Sequence, residues 1–164
     1  MGFRERRKKH KEEFKMEILE AALSLFSEAG YANFSMRKLA AKIDHSPTTI
    51  YLYYRDKDDL RFHICENLYA FMLQTLEEIR KNESSPKQAL KDIIRGYIHY
   101  SLTHPEQYKV VFFSNPSLYG RPEEFTSRDT MSLRCWKKFI ELFDDCMKSG
   151  VFRPMDCDTL SIVF

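Results

Sequence analysis

Two helix-start signals lie only eleven residues apart in this chain, and they limit what it can fold into. Ser35 precedes an apolar pattern typical of a short helix, and Ser46-Pro47 has the cap residue and first-turn proline that favour the start of another. Asp44 and His45 form the turn between them. The apolar positions of the earlier helix are Met36, Leu39, Ala40 and Ile43. The spacing therefore predicts two short helices joined by a tight turn, which is the helix-turn-helix arrangement.

An amphipathic helix is predicted before this pair. Its apolar residues recur at helical spacing, while the glutamates between them mostly face the other way. Gly30 is suited to end the helix, because glycine readily adopts the left-handed conformation that follows a helix C-terminus. Residues 31–34 then form a short connection. The apolar positions of this helix are Phe14, Ile18, Ala22, Leu25 and Phe26.

Four more helices are predicted after the pair. Asp56 can cap the fourth, which runs to about Lys81, and residues 82–86 form the clearest linker of the chain. The apolar positions are Leu60, Ile64, Leu68, Phe71, Thr75 and Ile79 in helix four and Leu90, Ile93, Ile94, Tyr97 and Leu102 in helix five. Helix five ends at His104-Pro105, and helix six covers residues 105–113. A loop follows over residues 114–122, and helix seven ends at Gly150. Since no segment keeps a two-residue alternation, the sequence predicts an all-α fold.

The positive charge of the chain is concentrated near its beginning. Residues 1–60 hold twelve Lys and Arg against ten Asp and Glu, whereas residues 61–164 hold fourteen of each. Residues 4–11 alone carry six basic groups and one acidic group. We interpret residues 1–11 as a basic arm that contacts DNA phosphates, with a solvated, frayed chain end as the alternative.

The sequence disfavours several classes of protein and site. The four cysteines form no CxxC pair and have no histidines at ligand spacing, so we predict buried thiols and no metal site. No apolar run approaches the roughly 18 residues that cross a bilayer, and the basic start runs into Glu12 and Glu13 rather than an apolar core, so we predict a cytoplasmic protein. Because a glycine-rich phosphate loop, HExxH and GxSxG are missing, we predict no enzymatic activity and no cofactor.

The stretch from Ser46 to Lys57 has the residue types of a surface that lies in a DNA groove rather than in water. A helix in the major groove presents its first turns to bases and phosphates, where hydroxyls and outward tyrosines can bind. Ile50 and Tyr54, four residues apart, should instead face the protein. Tyrosines and threonines taken singly are more often ordinary packing, so the prediction depends on their combination with two capped helices. The predicted DNA-binding residues are Ser35, Arg37, Lys38, Ser46, Thr48, Thr49, Tyr51, Tyr53 and Lys57.

A spaced pattern of residues in this part of the chain carries a family resemblance. Its members are Ile18-Leu19, Ala21-Ala22, Leu25-Phe26, Gly30-Tyr31, Ser35-Met36, Leu39-Ala40, Ser46-Pro47, Thr49-Ile50-Tyr51, Tyr54, Lys57 and Leu60. The pattern resembles the DNA-binding domain of the tetracycline-repressor (TetR) family of bacterial transcriptional regulators. Residues 104–113 are similar to a segment of one subgroup of the family's C-terminal domains. The rest of the chain matches the family only in the number and length of its helices.

The resemblance implies a chain of three parts and a mechanism for each. Residues 1–11 would be the basic arm, 12–57 the helix-turn-helix domain and 58–164 a helical domain for effector binding and dimerisation. The family forms Ω-shaped homodimers whose recognition helices enter successive major grooves of a palindromic operator. Effector binding changes the spacing of these two helices and releases the DNA, so the resemblance implies a repressor.

The sequence departs from the family pattern in the turn and at its end. The family usually has glycine and a small apolar residue where this chain has Asp44 and His45. Aspartate tolerates the left-handed conformation, so we expect the turn to survive, whereas His45 does not fill an apolar slot. Thr48 replaces a commonly smaller residue, which we expect to shift base preference. Residues 156–164 open like a helix and stop among apolar residues, so we expect the chain to continue past Phe164, with a tail tucked into the core as the alternative.

The C-terminal half is rich in aromatic residues, and most of these rings are expected in the core. An apolar cavity among helices four to seven would nevertheless suit a small hydrophobic or aromatic effector. The candidates for lining it are Tyr97, Tyr100, Phe112, Trp136 and Phe139, with His99 as a polar contact.

Other interpretations stay open at this point. A helical protein-interaction module would bind DNA too weakly to show a steep salt dependence. A non-specific DNA binder without ligand control would not be confined to one palindrome. The sequence also leaves open whether the chain represses or activates transcription.

Overall fold

The computed structural model describes residues 2–83, 85–112 and 127–155, and every regular element in these ranges is a helix. The helices are α1 (Phe3–Asn33), α2 (Met36–Lys42), α3 (Pro47–Tyr51), α4 (Lys57–Asn82), α5 (Pro86–Thr103), α6 (Pro105–Phe112) and α7 (Met131–Lys148). This confirms the predicted all-α fold with a helix-turn-helix near its beginning. The predicted loop over residues 114–122 and the apolar stretch over 156–164 lie outside the described residues.

Helix α1 extends further toward the N-terminus than the sequence predicts. It begins at Phe3, so that residues 3–11, which we expected to form an arm, are exposed turns of the same helix. Glu5 supports this start, because its carboxylate accepts the backbone N–H of Gly2 at 2.9 Å. Near the other end, Gly30 has φ 74° and breaks the helical path at the predicted position, although helical turns resume as far as Asn33.

The chain divides into two units, each with its own apolar core. The first unit is drawn from Met1–Cys65 and His104–Gly120, and the second from Glu66–Thr103 and Arg121–Phe164. Helix α6 therefore belongs with α1 to α3, although the sequence placed it in the C-terminal domain.

The core of the first unit fixes the helix-turn-helix pair. Ile18 of α1, Leu39 of α2 and Ile50 of α3 are completely buried there. Leu60 from the first turn of α4 joins them, and Val110 of α6 packs on the same cluster. The short helices α2 and α3 depend on these contacts, because isolated helices of this length are unstable in water.

The core of the second unit lies where α5 packs against α7. Leu76, Ala89 and Leu142 are buried in it, and Phe139 packs on its edge. Helix α7 begins at a cap, because the hydroxyl of Thr130 accepts the backbone N–H of Leu133 at 3.1 Å. Arg80 of α4 and Asp145 of α7 form an ion pair beside this core. Gly150, with φ 74°, follows the helix where the sequence predicts its end.

The predicted apolar face of α5 is only partly buried. Leu90 and Ile93 lie in the core, but Ile94 is half-exposed and Leu102 is 75% exposed. Phe71, one of the apolar positions of α4, is also exposed. The helical period marks an apolar face without showing which part of it a neighbour covers.

The described cysteines are buried free thiols. This confirms the prediction for Cys65, Cys135 and Cys146, whereas Cys157 lies outside the described residues. Burial raises the pKa of Cys135 to about 12, so its thiol stays protonated at neutral pH. None of the described helices has the length and apolar character that crossing a bilayer requires.

Candidate nucleic-acid interface

The candidate surface begins at the capped start of α2. The hydroxyl of Ser35 accepts the backbone N–H of Lys38 at 3.2 Å, which confirms Ser35 as the predicted N-cap. Arg37 and Lys38 in the first turn are both exposed. The ammonium of Lys38 donates to the carbonyl of Asn33 at 3.0 Å, which holds this charge beside the helix start.

The turn between α2 and α3 depends on a left-handed residue. Asp44 has φ 54°, the one positive φ at a non-glycine position among the described residues, and this confirms that aspartate replaces glycine here. His45 donates its backbone N–H to the carbonyl of Ala40 at 2.9 Å, closing the turn. Its ring is exposed and meets the edge of Phe14 with centroids 4.7 Å apart, so His45 packs on α1 instead of filling the slot between α2 and α3.

Helix α3 is short, capped and oriented as predicted. The hydroxyl of Ser46 accepts the backbone N–H of Thr49 at 3.1 Å and lies 2.9 Å from the Thr49 hydroxyl. Ile50 is 0% exposed, whereas Thr48 faces solvent. Tyr54, just beyond the helix, is also buried, and its hydroxyl donates to the carbonyl of Lys15 at 3.3 Å. The interior positions of Ile50 and Tyr54 are therefore confirmed.

The two tyrosines predicted to project outward differ. Tyr51 is 54% exposed. Tyr53 is half-buried, and its ring meets Phe14 edge-on with centroids 5.1 Å apart, so the expectation that it projects outward like Tyr51 was wrong. Leu52, which the sequence did not single out, is more exposed than either. The reason is that α3 ends at Tyr51, so positions 52 and 53 leave the helical period used to place them.

The start of α4 adds one cation and several carboxylates. Asp56 caps the helix as predicted, accepting the backbone N–H of Asp59 at 2.8 Å, and this hydrogen bond lowers the pKa of Asp56. The ammonium of Lys57 lies 4.1 Å from the centroid of the Tyr31 ring. The Tyr31 hydroxyl donates to Asp58, and burial followed by this hydrogen bond raises the pKa of Tyr31 to about 12.

Sequence reasoning missed two side chains that shape this helix start. Tyr31 was noted only as part of a connection and of the family pattern, although it orients both Lys57 and Asp58. Arg55 was not selected, although its guanidinium is largely exposed and pairs with Asp56 at 3.0 Å. The cation beside Asp56 was visible in the sequence, whereas the contact of Tyr31 with α4 joins residues too far apart for a helical pattern to reveal.

The structure places the predicted effector residues in different settings. Tyr97 and His99 of α5 lie at the surface, whereas Tyr100 is half-buried, and burial raises its pKa to about 12. On α7, Trp136 is half-buried and Phe139 packs on the second core. The sixth candidate, Phe112, is part of α6 in the first unit and has its ring 4.7 Å from that of Tyr108.

An open groove of about 400 Å³ lies elsewhere in the second unit. Its lining residues are Thr75, Glu78, Ile79, Asn82, Glu83 and Asp92. None of the six predicted effector residues belongs to this set, and its carboxylates do not suit an apolar ligand.

Comparison with known proteins identifies the helix-turn-helix segment. Residues 18–64 match the model of the bacterial regulatory proteins of the tetR family. The chain is 28% identical over 89 residues to the HTH-type transcriptional repressor NicS of Pseudomonas putida, an alignment over 54% of this chain and 42% of NicS. It is 29% identical over 87 residues to the fatty acid metabolism regulator protein of Bacillus subtilis, over 53% of this chain and 44% of that protein. The chain thus spans under half the length of these curated relatives.

Solved structures share the fold over most of the chain. A tetR family regulatory protein from Rhodococcus RHA1 has a TM-score of 0.72 at 22% identity and is matched over 91% of this chain and 77% of its own. FadR from Bacillus subtilis, solved in complex with stearoyl-CoA, has a TM-score of 0.70 at 20% identity, over 86% of this chain and 75% of its own. At these identities the likeness establishes the fold.

The turn yields a prediction about stability. Asp44→Gly should keep or raise the free energy of unfolding, because glycine adopts φ 54° without strain. Asp44→Val should lower it by about 1–2 kcal/mol, because a β-branched side chain crowds the following carbonyl in that conformation. Urea denaturation followed by circular dichroism measures both changes.

Ala41, an exposed residue within α2, supplies the matched control. At this right-handed helical position the order reverses, and Ala41→Gly should cost about 1 kcal/mol, more than Ala41→Val. If glycine were as destabilising at position 44 as at position 41, the left-handed turn would be refuted.

Proposed function

The chain belongs to the TetR family of bacterial regulatory proteins, and from that premise we propose that it is a sequence-specific repressor released from a palindromic operator by a small hydrophobic effector. The observation that carries the proposal is the orientation of α3. Burial of Ile50 leaves Thr48 and Tyr51 on the opposite, exposed side, directly after the Ser46 cap. An exposed face built from hydroxyls and a phenol suits base edges and phosphates.

In the proposed complex α3 lies in the major groove. Thr48 contacts base edges, and the phenol of Tyr51 donates a hydrogen bond to a phosphate. Arg37 and Lys38 approach the backbone from the start of α2, where free N–H groups and side-chain charge both favour an anion. Lys57, held over the Tyr31 ring, does the same from the start of α4. The half-buried Tyr53 contributes only its exposed edge.

We further propose that the protein acts as a homodimer. Two copies would place their α3 helices in successive major grooves, about 34–36 Å apart along one face of the duplex. This spacing makes the operator an inverted repeat, because a two-fold axis relates the two reading surfaces.

Selection of bound sequences from random duplex DNA tests the function directly. We expect enrichment of one inverted repeat whose half-site centres lie about 10–10.5 base pairs apart, since each α3 reads one half-site. Sequencing after successive rounds measures the enrichment. Recovery of unrelated sequences with uniform affinity would contradict the proposal and favour a non-specific binder, and failure to retain any DNA would favour a protein-interaction module.

Substitutions on the surface should separate affinity from sequence preference. Tyr51→Phe and Lys57→Ala should weaken binding to every sequence, the former by about 1.5–3 kcal/mol for one lost hydrogen bond to a charged group. Lys57→Ala should also reduce the slope of log affinity against log salt by about 0.9, the value for one phosphate. Thr48→Ala should instead change which half-site binds best. Fluorescence anisotropy with operator and scrambled duplexes measures all three.

The same chemical changes made elsewhere provide controls for these variants. Tyr108→Phe and Lys91→Ala remove a phenol hydroxyl and an exposed ammonium outside the proposed surface. Neither should alter DNA affinity or the salt slope. If Tyr51→Phe, Lys57→Ala and Thr48→Ala all leave operator binding unchanged, the reading surface is misplaced.

The effector is proposed to contact the aromatic side chains of the second unit. Tyr100, Trp136 and Phe139 support this, because all three are partly buried on α5 and α7, and Phe139 packs on the core of the second unit. Tyr97 and His99 lie at the surface of α5 and would contribute only if the ligand extends to that face. Phe112, the sixth predicted residue, lies on α6 of the first unit and is not included in this set. Long-chain acyl-CoA is the first class to test, since the relatives include a fatty acid metabolism regulator and a protein solved with stearoyl-CoA.

Trp136 is the only tryptophan of the chain and reports on this region without labelling. Stearoyl-CoA should change its fluorescence and lower operator affinity at matching concentrations, because the acyl chain would pack among the rings. Coenzyme A without the acyl chain is the control and should do neither. If stearoyl-CoA, free fatty acids and steroids all leave both signals unchanged, the proposed hydrophobic effector is refuted.

A further inference from the structure

The first turns of α1 carry a row of cations on one face. Arg4, Arg7, Lys8 and Lys11 stand at spacings of three and four residues, which places them side by side on a helix. All four are exposed. We call these four residues the basic row.

The basic row continues the side of α1 that packs beside α3. Arg7 and Lys11 lie seven residues, or about two turns, before Phe14 and Ile18 respectively, and so share their face of the helix. Ile18 is buried in the first core. Phe14 touches the rings of His45 and Tyr53, which flank α3 on either side. The row therefore extends from the neighbourhood of α3 by about 15 Å, the rise of ten helical residues from Phe14.

No carboxylate among the described residues forms an ion pair with the cations of the row. The nearby ion pairs join Lys9 to Glu13 and Lys15 to Glu12, and Glu5 accepts the backbone of Gly2. Within the ranges that the structure describes, none of the four members of the basic row takes part in an ion pair. Their charge is available to an external anion.

The placement of this charge is unfavourable for an isolated helix. Cations near a helix N-terminus oppose the macrodipole, and like charges three or four residues apart repel each other. Both effects weaken the exposed end of α1 unless an anion lies against it. A row of phosphates removes both penalties, and duplex DNA offers one negative charge per roughly 1.7 Å of its axis.

We propose that the basic row is a second DNA contact that lies along phosphates flanking the bases read by α3. It contributes affinity without sequence preference, because side-chain charge on phosphate carries no base information. This inference rests on the proposed function, since it takes the position of DNA from α3.

The test replaces the four cations together, as Arg4→Gln, Arg7→Gln, Lys8→Gln and Lys11→Gln, in the full chain. Glutamine is a good helix former and removes the charge while keeping a polar side chain. The slope of log affinity against log salt should fall by up to about 3.6, at 0.9 for each phosphate, and the preferred operator sequence should stay the same. Anisotropy titrations at several salt concentrations measure the slope, and circular dichroism checks that the helix persists.

A control with the same loss of charge isolates the effect of position. Lys81→Gln, Lys87→Gln, Lys91→Gln and Arg95→Gln remove four exposed cations from α4 and α5 of the second unit. This variant has the same net charge as the first and should keep the wild-type salt slope. Equal slopes for the two variants would overturn the basic row as a contact.

The remaining outcomes separate the row from the function on which it rests. Operator binding by the wild type with an unchanged slope in the first variant refutes only the basic row. If that variant instead loses affinity for phosphatidylserine vesicles while its DNA slope stays unchanged, the row serves a lipid surface and the proposal is also wrong. Absence of DNA binding by the wild type refutes the function and this inference together.

Discussion

Burial of Ile50 and Tyr54 is the constraint on which the candidate interface depends. Ile50 is completely enclosed in the first core, and Tyr54 reaches the backbone of Lys15 on α1. These two anchors fix how α3 is rotated about its axis, so Thr48, Tyr51 and Leu52 are turned outward. A five-residue helix has too few internal hydrogen bonds to set its own orientation. The chemistry that α3 presents, with Thr48 and Tyr51 exposed, therefore follows from packing against α1 rather than from the helix itself.

The parts of this arrangement that the sequence predicts well are those set by local interactions. Ser35, Ser46 and Asp56 each accept a backbone N–H three residues further along, so each helix start is decided within four residues. Asp44 is equally local, because a residue's own tolerance for positive φ decides whether the turn can form. For this reason the starts of α2, α3 and α4 could be predicted without any knowledge of their neighbours.

Most of the features that the sequence did not predict depend on distant residues. Tyr53 packs on Phe14 across almost forty residues of chain, and Val110 brings α6 into the first core from even further away. Helical periodicity marks Leu102 as apolar but does not reveal that no described neighbour covers it. The helical path of residues 3–11 was missed for another reason. Their composition favours a solvated end, and the continuation of α1 is what holds them in helical form.

The proposed reading surface on α3 is small, so different contacts would supply the affinity for DNA and the specificity for its sequence. In the proposed complex Thr48 is the side chain of α3 that contacts base edges, and a few hydroxyl contacts would discriminate between sequences without binding tightly. Most of the binding free energy would then come from phosphate contacts, which are strong at low salt and independent of sequence. In this chain such contacts would come from the starts of α2 and α4 and from the basic row on α1. Helix α1 also packs on Ile50 and Tyr54, which orient α3. The same helix would therefore carry sequence-independent phosphate contacts and hold the residues proposed to contact the bases.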